Sequence, residues 1–467
     1  MKGPASKAVQ LGVLAVALAA AAAVLWFWSA ASPDRVARPN LVIVVIDALR
    51  KDHLGGFGYG RPTSPALDRL ARESVMFENV LSPSSHTVPV LASLWTGLYP
   101  SEHGVQYFAA KRSFDGQRSW KEVGPALARS HRLLPERLAQ RGYRTAAVVS
   151  NPWLQRRFGF AQGFEHYQVI ECLDFDPATK DACDGAEVVE HARRWLERPS
   201  GGPFFLYLHF MDVHAPYDKP GITQGLYVRT PGSDRYCNCL LPELAPTDLA
   251  FMTALYDEGI HHLDQVLGRF IGELERWSPV QDTVLVVLSD HGDELLDHGG
   301  LGHGTTVHAE LTDSFLMLRY PVRLKPRRIA ATVSLVDLAP TVWELAGFEP
   351  SELDGAGRSL VPLIEQRVAE QRPPQPLYSE LGDIKAVRLG RWKLILHLES
   401  GAAELYDLEA DPTERRNRVS ERPRLARELE RLLRAFQARA KPSQPAPAGP
   451  IDPELLRRLR ALGYLGS

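Results

Sequence analysis

Three stretches of the chain are apolar almost without interruption and then stop at polar residues. Asn40-Leu-Val-Ile-Val-Val-Ile46 runs into Asp47, Phe204-Phe-Leu-Tyr-Leu-His-Phe210 into Asp212 and His214, and Thr283-Val-Leu-Val-Val-Leu-Ser289 into Asp290 and His291. A strand with one wet face alternates apolar and polar residues, so runs that do not alternate predict strands buried on both faces, as in a parallel sheet. Residues 145–150, Thr-Ala-Ala-Val-Val-Ser, read as a further strand. Between them, apolar positions recur at helical spacing over 65–73, 133–142 and 247–277. Strands alternating with helices predict a layered α/β fold. In open parallel sheets ligands sit beyond the carboxyl ends of the strands, so the three polar clusters are expected to meet at one site.

From about residue 373 the pattern shifts to short strands over 384–389 and 392–397, then the turn-rich Leu405-Tyr-Asp-Leu-Glu-Ala-Asp-Pro412 and a charged helix over about 421–439. These predict a small C-terminal α+β subdomain over 373–440, followed by a Pro-rich linker and terminal helix within 441–467. The catalytic domain is assigned to 33–372, with a loop-rich insertion over about 165–246 that holds all four cysteines.

Lys2 and Lys7 precede residues 8–32, which carry no charged side chain. A bilayer-spanning helix needs roughly 20 apolar residues, whereas the apolar core of a cleaved signal has about 7–15. Residues 1–32 therefore read as an uncleaved signal anchor, and the positive flank puts everything after Pro33 outside the cytoplasm, periplasmic or extracellular. Ser29 and Ala31 also offer a small-x-small cleavage site, which leaves a released form open. In an exported chain Cys172, Cys183, Cys237 and Cys239 are expected to oxidise. Cys-x-Cys neighbours rarely bond each other, so 172 and 183 are paired with 237 and 239 in an order the sequence leaves open. A thiolate metal site is the rival reading, without a second Cys-x-x-Cys or a paired His nearby to support it. The 54 basic and 56 acidic side chains leave a formal charge of -2 over 467 residues. That balance supplies no field for a polyphosphate backbone and argues against nucleic acid as a partner. Arg323, Lys325, Arg327 and Arg328 accordingly read as a solvated face.

The polar clusters belong to longer motifs. Residues 40–60, with Asp47, Arg50, Asp52 and Gly60, resemble the opening metal-binding strand and loop of sulfatases, and Ser289-Asp-His-Gly-Asp293 resembles their second metal motif. Thr87-Val-Pro-Val-Leu-Ala-Ser-Leu-Trp-Thr-Gly97, then Tyr99-Pro100 and His103-Gly104, resembles their nucleophile segment. Residues 209–217, Gly302-His303-Gly304 and 405–417 resemble later family segments. The resemblance spans nearly the whole chain after residue 32. It implies the sulfatase branch of the alkaline phosphatase superfamily: an alkaline phosphatase-like core with a central mixed, mostly parallel sheet, and a metal-dependent hydrolase or phosphotransferase of phosphate or sulfate esters. By the same resemblance Asp47, Asp290 and His291, with Thr87, hold one divalent ion. Oxygen ligands plus an imidazole suit Mn, Zn, Mg or Ca, and Ala48 in place of the usual second aspartate removes one anionic ligand. His214 and His303 are implied to bind the transferred group and to protonate the leaving oxygen, a role that suits an imidazole. For Asp212 and Asp293, with His209, His298 and His308, local packing and orienting the site from behind explain the residues equally well.

The departures from the family pattern matter as much. Common sulfatases carry Cys or Ser followed by x-Pro-x-Arg, and that first residue is oxidised to formylglycine. Here the segment is Thr87-Val-Pro-Val-Leu91. Oxidising a secondary alcohol gives a ketone, so no formylglycine is expected, and the supporting arginine is replaced by Leu91. Thr87 is read instead as a direct covalent nucleophile. That resembles phosphoethanolamine transferases, on a layout that also resembles phosphonate monoester hydrolases, with a small or lipid-linked ester as substrate. Other readings stay open: Thr87 capping a helix that begins at about Pro89, a true sulfuric ester hydrolase working without formylglycine, or a surface binding protein without turnover. A second metal held by Asp212, His214 and His303 is also conceivable, although the spacing fits one metal better.

Overall fold

The unbroken apolar runs become neighbouring strands of one sheet. The computed structural model describes residues 38–106, 126–170, 184–198, 201–219, 222–223, 225–228, 245–277, 280–370, 373–441, 443 and 453–461. The expected anchor over 1–32, Cys172, Cys183, Cys237, Cys239 and most of the Pro-rich linker lie outside the described residues. Among the described residues no helix is long and apolar enough to cross a membrane.

The strands are β1 (Asn40–Ile46), β2 (Val75–Leu81), β3 (Arg144–Val149), β4 (His166–Val169), β5 (Phe204–Phe210), β6 (Thr283–Ser289), the short β7 (Glu294–Leu295) and β8 (Leu301–Gly302), β9 (Asp313–Arg319) and β10 (Arg327–Ser334). Eight of them form one sheet in the order β10-β2-β9-β6-β1-β5-β3-β4, while β7 and β8 pair as a separate ribbon. Only β9 runs against its neighbours β2 and β6; every other pairing is parallel. The sheet is thus mixed and mostly parallel.

Alternate residues of β1 enter opposite cores. Leu41, Ile43 and Val45 pack with residues of the helices Thr87–Thr96, Leu134–Gln140 and Leu338–Leu345. Val42, Val44 and Ile46 pack with residues of Pro65–Arg72, Gly185–Leu196 and Pro246–Trp277. Burial on both faces explains why the sequence there has no polar alternation. The span 165–246 is not a looped-out insertion: β4, the helix Gly185–Leu196 and β5 within it are parts of the central layers. Arg327 and Arg328 lie on the edge strand β10, where Arg328 pairs with Glu78 and Arg327 with Glu370, while Arg323 pairs with Glu365.

A second, antiparallel sheet follows, with β11 (Leu377–Leu381), β12 (Ile384–Leu389), β13 (Trp392–His397) and β14 (Ala403–Asp407) in sequential order. The helix Pro423–Arg439 covers it through Ala426, Leu429, Leu433 and Phe436. Residues from Pro39 onward form one compact unit.

Candidate active site

Strand register brings the predicted ligands together. Ile46 at the end of β1 is level with Phe210 of β5 on one side and Ser289 of β6 on the other, so the next residues, Asp47 and Asp290, emerge side by side. Parallel strands put all three carboxyl ends at the same edge, and a site assembled there needs no long excursion of the chain.

Asp47 is wholly buried and held from several directions. Its Oδ2 accepts from Asn151 Nδ2 at 2.7 Å and lies 3.0 Å from His209 Nε2. The other ring nitrogen of His209 is 2.8 Å from the Tyr207 hydroxyl, an arrangement in which Tyr207 donates to Nδ1 and Nε2–H donates to Asp47. Burial by itself would raise the Asp47 carboxyl; the His209 hydrogen bond and the surrounding imidazoles outweigh it and hold the carboxyl well below its usual range.

Asp290 meets the opposite fate. Burial, followed by the adjacent Asp47 carboxylate, pushes it well above the usual value. Its Oδ1 accepts from the His291 and Ala48 backbone N–H groups at 2.8 and 3.3 Å, whereas Oδ2 is buried without a hydrogen-bond partner. His291 donates its Nδ1–H to the Gly292 carbonyl at 2.9 Å, which leaves the Nε2 lone pair facing the carboxylates. Gly292 is required by close approach: a Cβ there would lie 2.0 Å from the Glu310 carbonyl oxygen.

Ligand atoms of Asp47, Asp290 and His291 fall within 4.8 Å of one another. An orphaned buried carboxylate oxygen, a second carboxylate and an imidazole lone pair form a donor set that fits a divalent cation. Thr87 completes it, with Oγ1 3.1 Å from His291 Nε2 and 3.5 and 3.4 Å from the two Asp47 oxygens. Thr87 does not cap its helix. The helix begins at Thr87, two residues before Pro89, and His86 is the cap, its Nδ1 accepting from the Val88 N–H.

His303 stands beside this set, its ring centroid 4.4 Å from that of His291 and 4.9 Å from that of His214. Asp293 Oδ1 lies 2.7 Å from His303 Nδ1, and the other Asp293 oxygen accepts from the Tyr217 hydroxyl at 2.7 Å. Burial opposes protonation of His303, but the Asp293 carboxylate overcomes it and raises the imidazole above its ordinary value. His214 differs: its Nδ1–H donates to the Ala215 carbonyl at 2.5 Å, and burial, the main cause, lowers it to about 4. His291 is likewise lowered to about 3, first by burial and then by His303. Of these three imidazoles, His303 is the one whose surroundings favour the protonated form.

Asp212 is not behind this set. Its Oδ1 accepts from the Gly185 N–H at 2.8 Å, and it groups with Asp184 and His262 at the start of the helix Gly185–Leu196. A second metal through Asp212, His214 and His303 therefore finds no support, since Asp212 faces a different group. His298 and His308 also lie elsewhere, with rings stacked at 3.9 Å and bonded to Glu310 and Glu404 respectively. Asn151, Tyr217 and His86 were not singled out by sequence. Asn151 follows a recognised strand, β3, and that position was the one signal for it; His86 precedes Thr87, and its ring centroid lies 5.9 Å from that of His303.

The sequence profile of the sulfatase family matches residues 39–348, and that of the N-sulphoglucosamine sulphohydrolase C-terminal domain matches residues 304–439. The chain belongs to the sulfatase family. Similar proteins include the Delta 4,5-hexuronate-2-O-sulfatase of Bacteroides thetaiotaomicron, 23% identical over 81% of this chain and 84% of that one. Another is arylsulfatase A of Bos taurus, 27% identical over 86% and 81%. Among solved structures, the phosphonate monoester hydrolase of Agrobacterium radiobacter superposes with a TM-score of 0.68 at 20% identity, covering 86% of this chain and 96% of that one. This sulfatase-family hydrolase thus has the alkaline phosphatase-like fold, an eight-stranded central sheet plus a C-terminal antiparallel sheet.

Proposed function

We propose that this sulfatase-family protein cleaves a monoester of phosphoric or phosphonic acid through a covalent intermediate on Thr87. The observation that carries the reading is the placement of Thr87 Oγ1, 3.1 Å from His291 Nε2 and within 3.5 Å of both Asp47 oxygens. A divalent cation held by Asp47, Asp290 and His291 would neutralise the paired carboxylates and make the Thr87 hydroxyl more acidic. Thr87 Oγ1 gives up its proton to solvent and attacks phosphorus; an Oγ–P bond forms as the bond to the leaving oxygen breaks, and His303, oriented by Asp293, gives that oxygen its proton. The N-terminal end of the helix Thr87–Thr96 adds positive partial charge beside the transferred group. Water, losing a proton to the now neutral His303, then attacks the same phosphorus, and Thr87 leaves and regains its proton from solvent; an acceptor alcohol in place of water would make the reaction a transfer.

A second reading, hydrolysis of a sulfate ester by the same residues, is favoured by the curated relatives, which are named for sulfatase activity. A threonine ester carries no second hydroxyl on its carbon to expel the anion, so either reading needs direct attack by water at the central atom. Turnover of matched aryl phosphate, phosphonate and sulfate esters, with Mn or Zn supplied, separates them. Thr87→Ala is expected to lose on the order of a thousandfold or more in kcat, and a quenched reaction to show the transferred group on the Thr87 peptide. Full turnover by Thr87→Ala would remove the proposal, and sulfate turnover exceeding phosphate would give preference to the second reading.

We also propose that the protein is exported and anchored through residues 1–32, on the strength of the uncharged run after Lys7. Full-length protein should stay with membranes under alkaline extraction, whereas a chain begun at Pro33 should be released. Release of the full-length chain would count against anchoring.

A further inference from the structure

The group that draws Asp212 away from the candidate active site has a chemistry of its own. β5 ends at Phe210, and two residues later the Asp212 carboxylate lies under the start of the helix Gly185–Leu196, where Oδ1 accepts from the Gly185 N–H at 2.8 Å. Gly185 is required there by close approach, because a Cβ would stand 2.8 Å from Asp212 Oδ2. Asp184, the cap of the same helix, and His262, from the helix Pro246–Trp277, complete the group.

The spacing is close to that of ligands around one ion. Ligand atoms of Asp184, Asp212 and His262 fall within 4.8 Å of one another. His262 Nε2 lies 3.0 Å from Asp184 Oδ1 and 3.8 Å from Asp212 Oδ1. Two ligands each about 2.1 Å from a metal stand roughly 3.0–3.4 Å apart at octahedral or tetrahedral angles. Small side-chain rotations would therefore bring both carboxylates and the imidazole onto a shared centre.

A separate observation points to a missing ligand. The Asp212 side chain is 1% exposed, and its Oδ2 is buried without a hydrogen-bond partner among the described residues. An unmatched buried carboxylate oxygen is costly, and a cation beside it would offset that cost. Lys219 does not fill the role, since its Nζ donates to the Met211 and Asp212 backbone carbonyls at 2.8 and 2.7 Å. Burial, the largest cause, accordingly raises the Asp212 carboxyl to about 6. Lys219 and Arg269 are cationic neighbours of the group and temper its pull on an ion.

The donor set also narrows the ion. Calcium and magnesium take oxygen ligands, whereas an imidazole beside carboxylates suits a first-row transition ion or zinc. To bind it, neutral His262 would give up its hydrogen bond to Asp184 and turn the Nε2 lone pair to the metal. The Asp184 side chain is 42% exposed, so water can complete the shell.

We propose that Asp184, Asp212 and His262 form a further divalent-metal site for an ion such as zinc, separate from Asp47, Asp290 and His291. The ion ties the end of β5 to the helices Gly185–Leu196 and Pro246–Trp277 and steadies the stretch that carries His214, two residues past Asp212. The inference holds whether or not Thr87 is the nucleophile, because it concerns binding and not turnover. Zinc uptake by the full chain, stripped of metal and titrated against a chelating dye, tests it in an Asp290→Asn background that disables the candidate active site. Asp290→Asn should bind one zinc per chain, and adding His262→Gln should abolish that binding. Adding Asp184→Asn instead keeps a side-chain oxygen able to cap the helix and should weaken zinc about tenfold. Zinc should raise the melting temperature of Asp290→Asn but not that of Asp290→Asn/His262→Gln, and metal-free melts report whether each variant is folded. Zinc that stays bound as tightly after either added change in a folded variant would overturn the proposal by placing the ion elsewhere. Absence of uptake by Asp290→Asn would overturn it as well, and would make Asp212 a buried carboxyl that holds a proton instead of a metal.

Discussion

Two aspartates of the site are driven in opposite directions, and each makes a measurable difference. Asp293 raises His303 above its ordinary value, so His303 holds its proton to higher pH than a free imidazole and loses it as pH climbs through that raised value. Activity that depends on His303 as an acid should fall along the same alkaline limb. Asp293→Asn should move that limb to lower pH and cut kcat on alkyl esters by about a hundredfold. Nitrophenyl esters, whose leaving group needs no proton, should lose far less, and pH–rate profiles on both substrates check this. Burial and then the adjacent Asp47 carboxylate raise Asp290 well above the usual carboxylate range. A raised carboxyl means the native state holds a proton that the unfolded chain has released, so stability is full below about pH 4 and is lost as pH rises through the native value. Asp290→Asn cannot ionise. Without metal it should therefore be the more stable protein at neutral pH, and it should no longer gain melting temperature from Mn or Zn bound beside Asp47. Melts with and without a chelator decide the point.

At the scale of elements, the C-terminal sheet braces the loop that carries His303. Lys393 of β13 and Glu414 beyond β14 are both buried and ion-paired at 2.8 Å. Lys393 Nζ also donates to the Val307 carbonyl at 2.7 Å, and Glu414 accepts from the Ala309 N–H at 2.9 Å. The family segment over 405–417 thereby acquires a physical role: Glu414 within it fastens the 303–309 stretch. Removing one member leaves the other as an uncompensated buried charge, so Glu414→Ala should cost about 3–5 kcal/mol, read from denaturant unfolding. Replacing both, as Lys393→Met with Glu414→Leu, should recover much of that loss. Asn151 and His209 act similarly on Asp47 from β3 and β5. Asn151→Ala should weaken Mn or Zn affinity about 10- to 100-fold, measured by competition with a chelating dye.

Over the whole molecule, a mixed, mostly parallel sheet carries the candidate site at the carboxyl ends of its parallel strands, and the second sheet stands against the loop leaving that edge. Runs such as 40–46, 204–210 and 283–289 declare themselves in the chain because a strand buried on both faces has no polar positions to hide among. Their polar ends were therefore legible as one site. β2, interrupted by Glu78 and Asn79, and β10, opening with two arginines, lie where part of the strand is wet, and local pattern did not distinguish them. Asn151, His86 and Tyr217 escaped notice for a related reason: a lone polar residue near a strand end has many local explanations, and its partner lies far away in sequence.

Residue types and their order were enough to establish the layered α/β architecture, the candidate ligands Asp47, Asp290 and His291, and a hydroxyl at position 87 that cannot become an aldehyde. Three-dimensional packing settled the division of labour. It sent Asp212 to the start of the helix Gly185–Leu196, gave the His303 imidazole its charged partner, and made His86 the helix cap in place of Thr87. The reason is that ligand identity follows from side-chain chemistry, which any position displays, whereas protonation, orientation and burial depend on which distant groups the fold presses together in a medium without water.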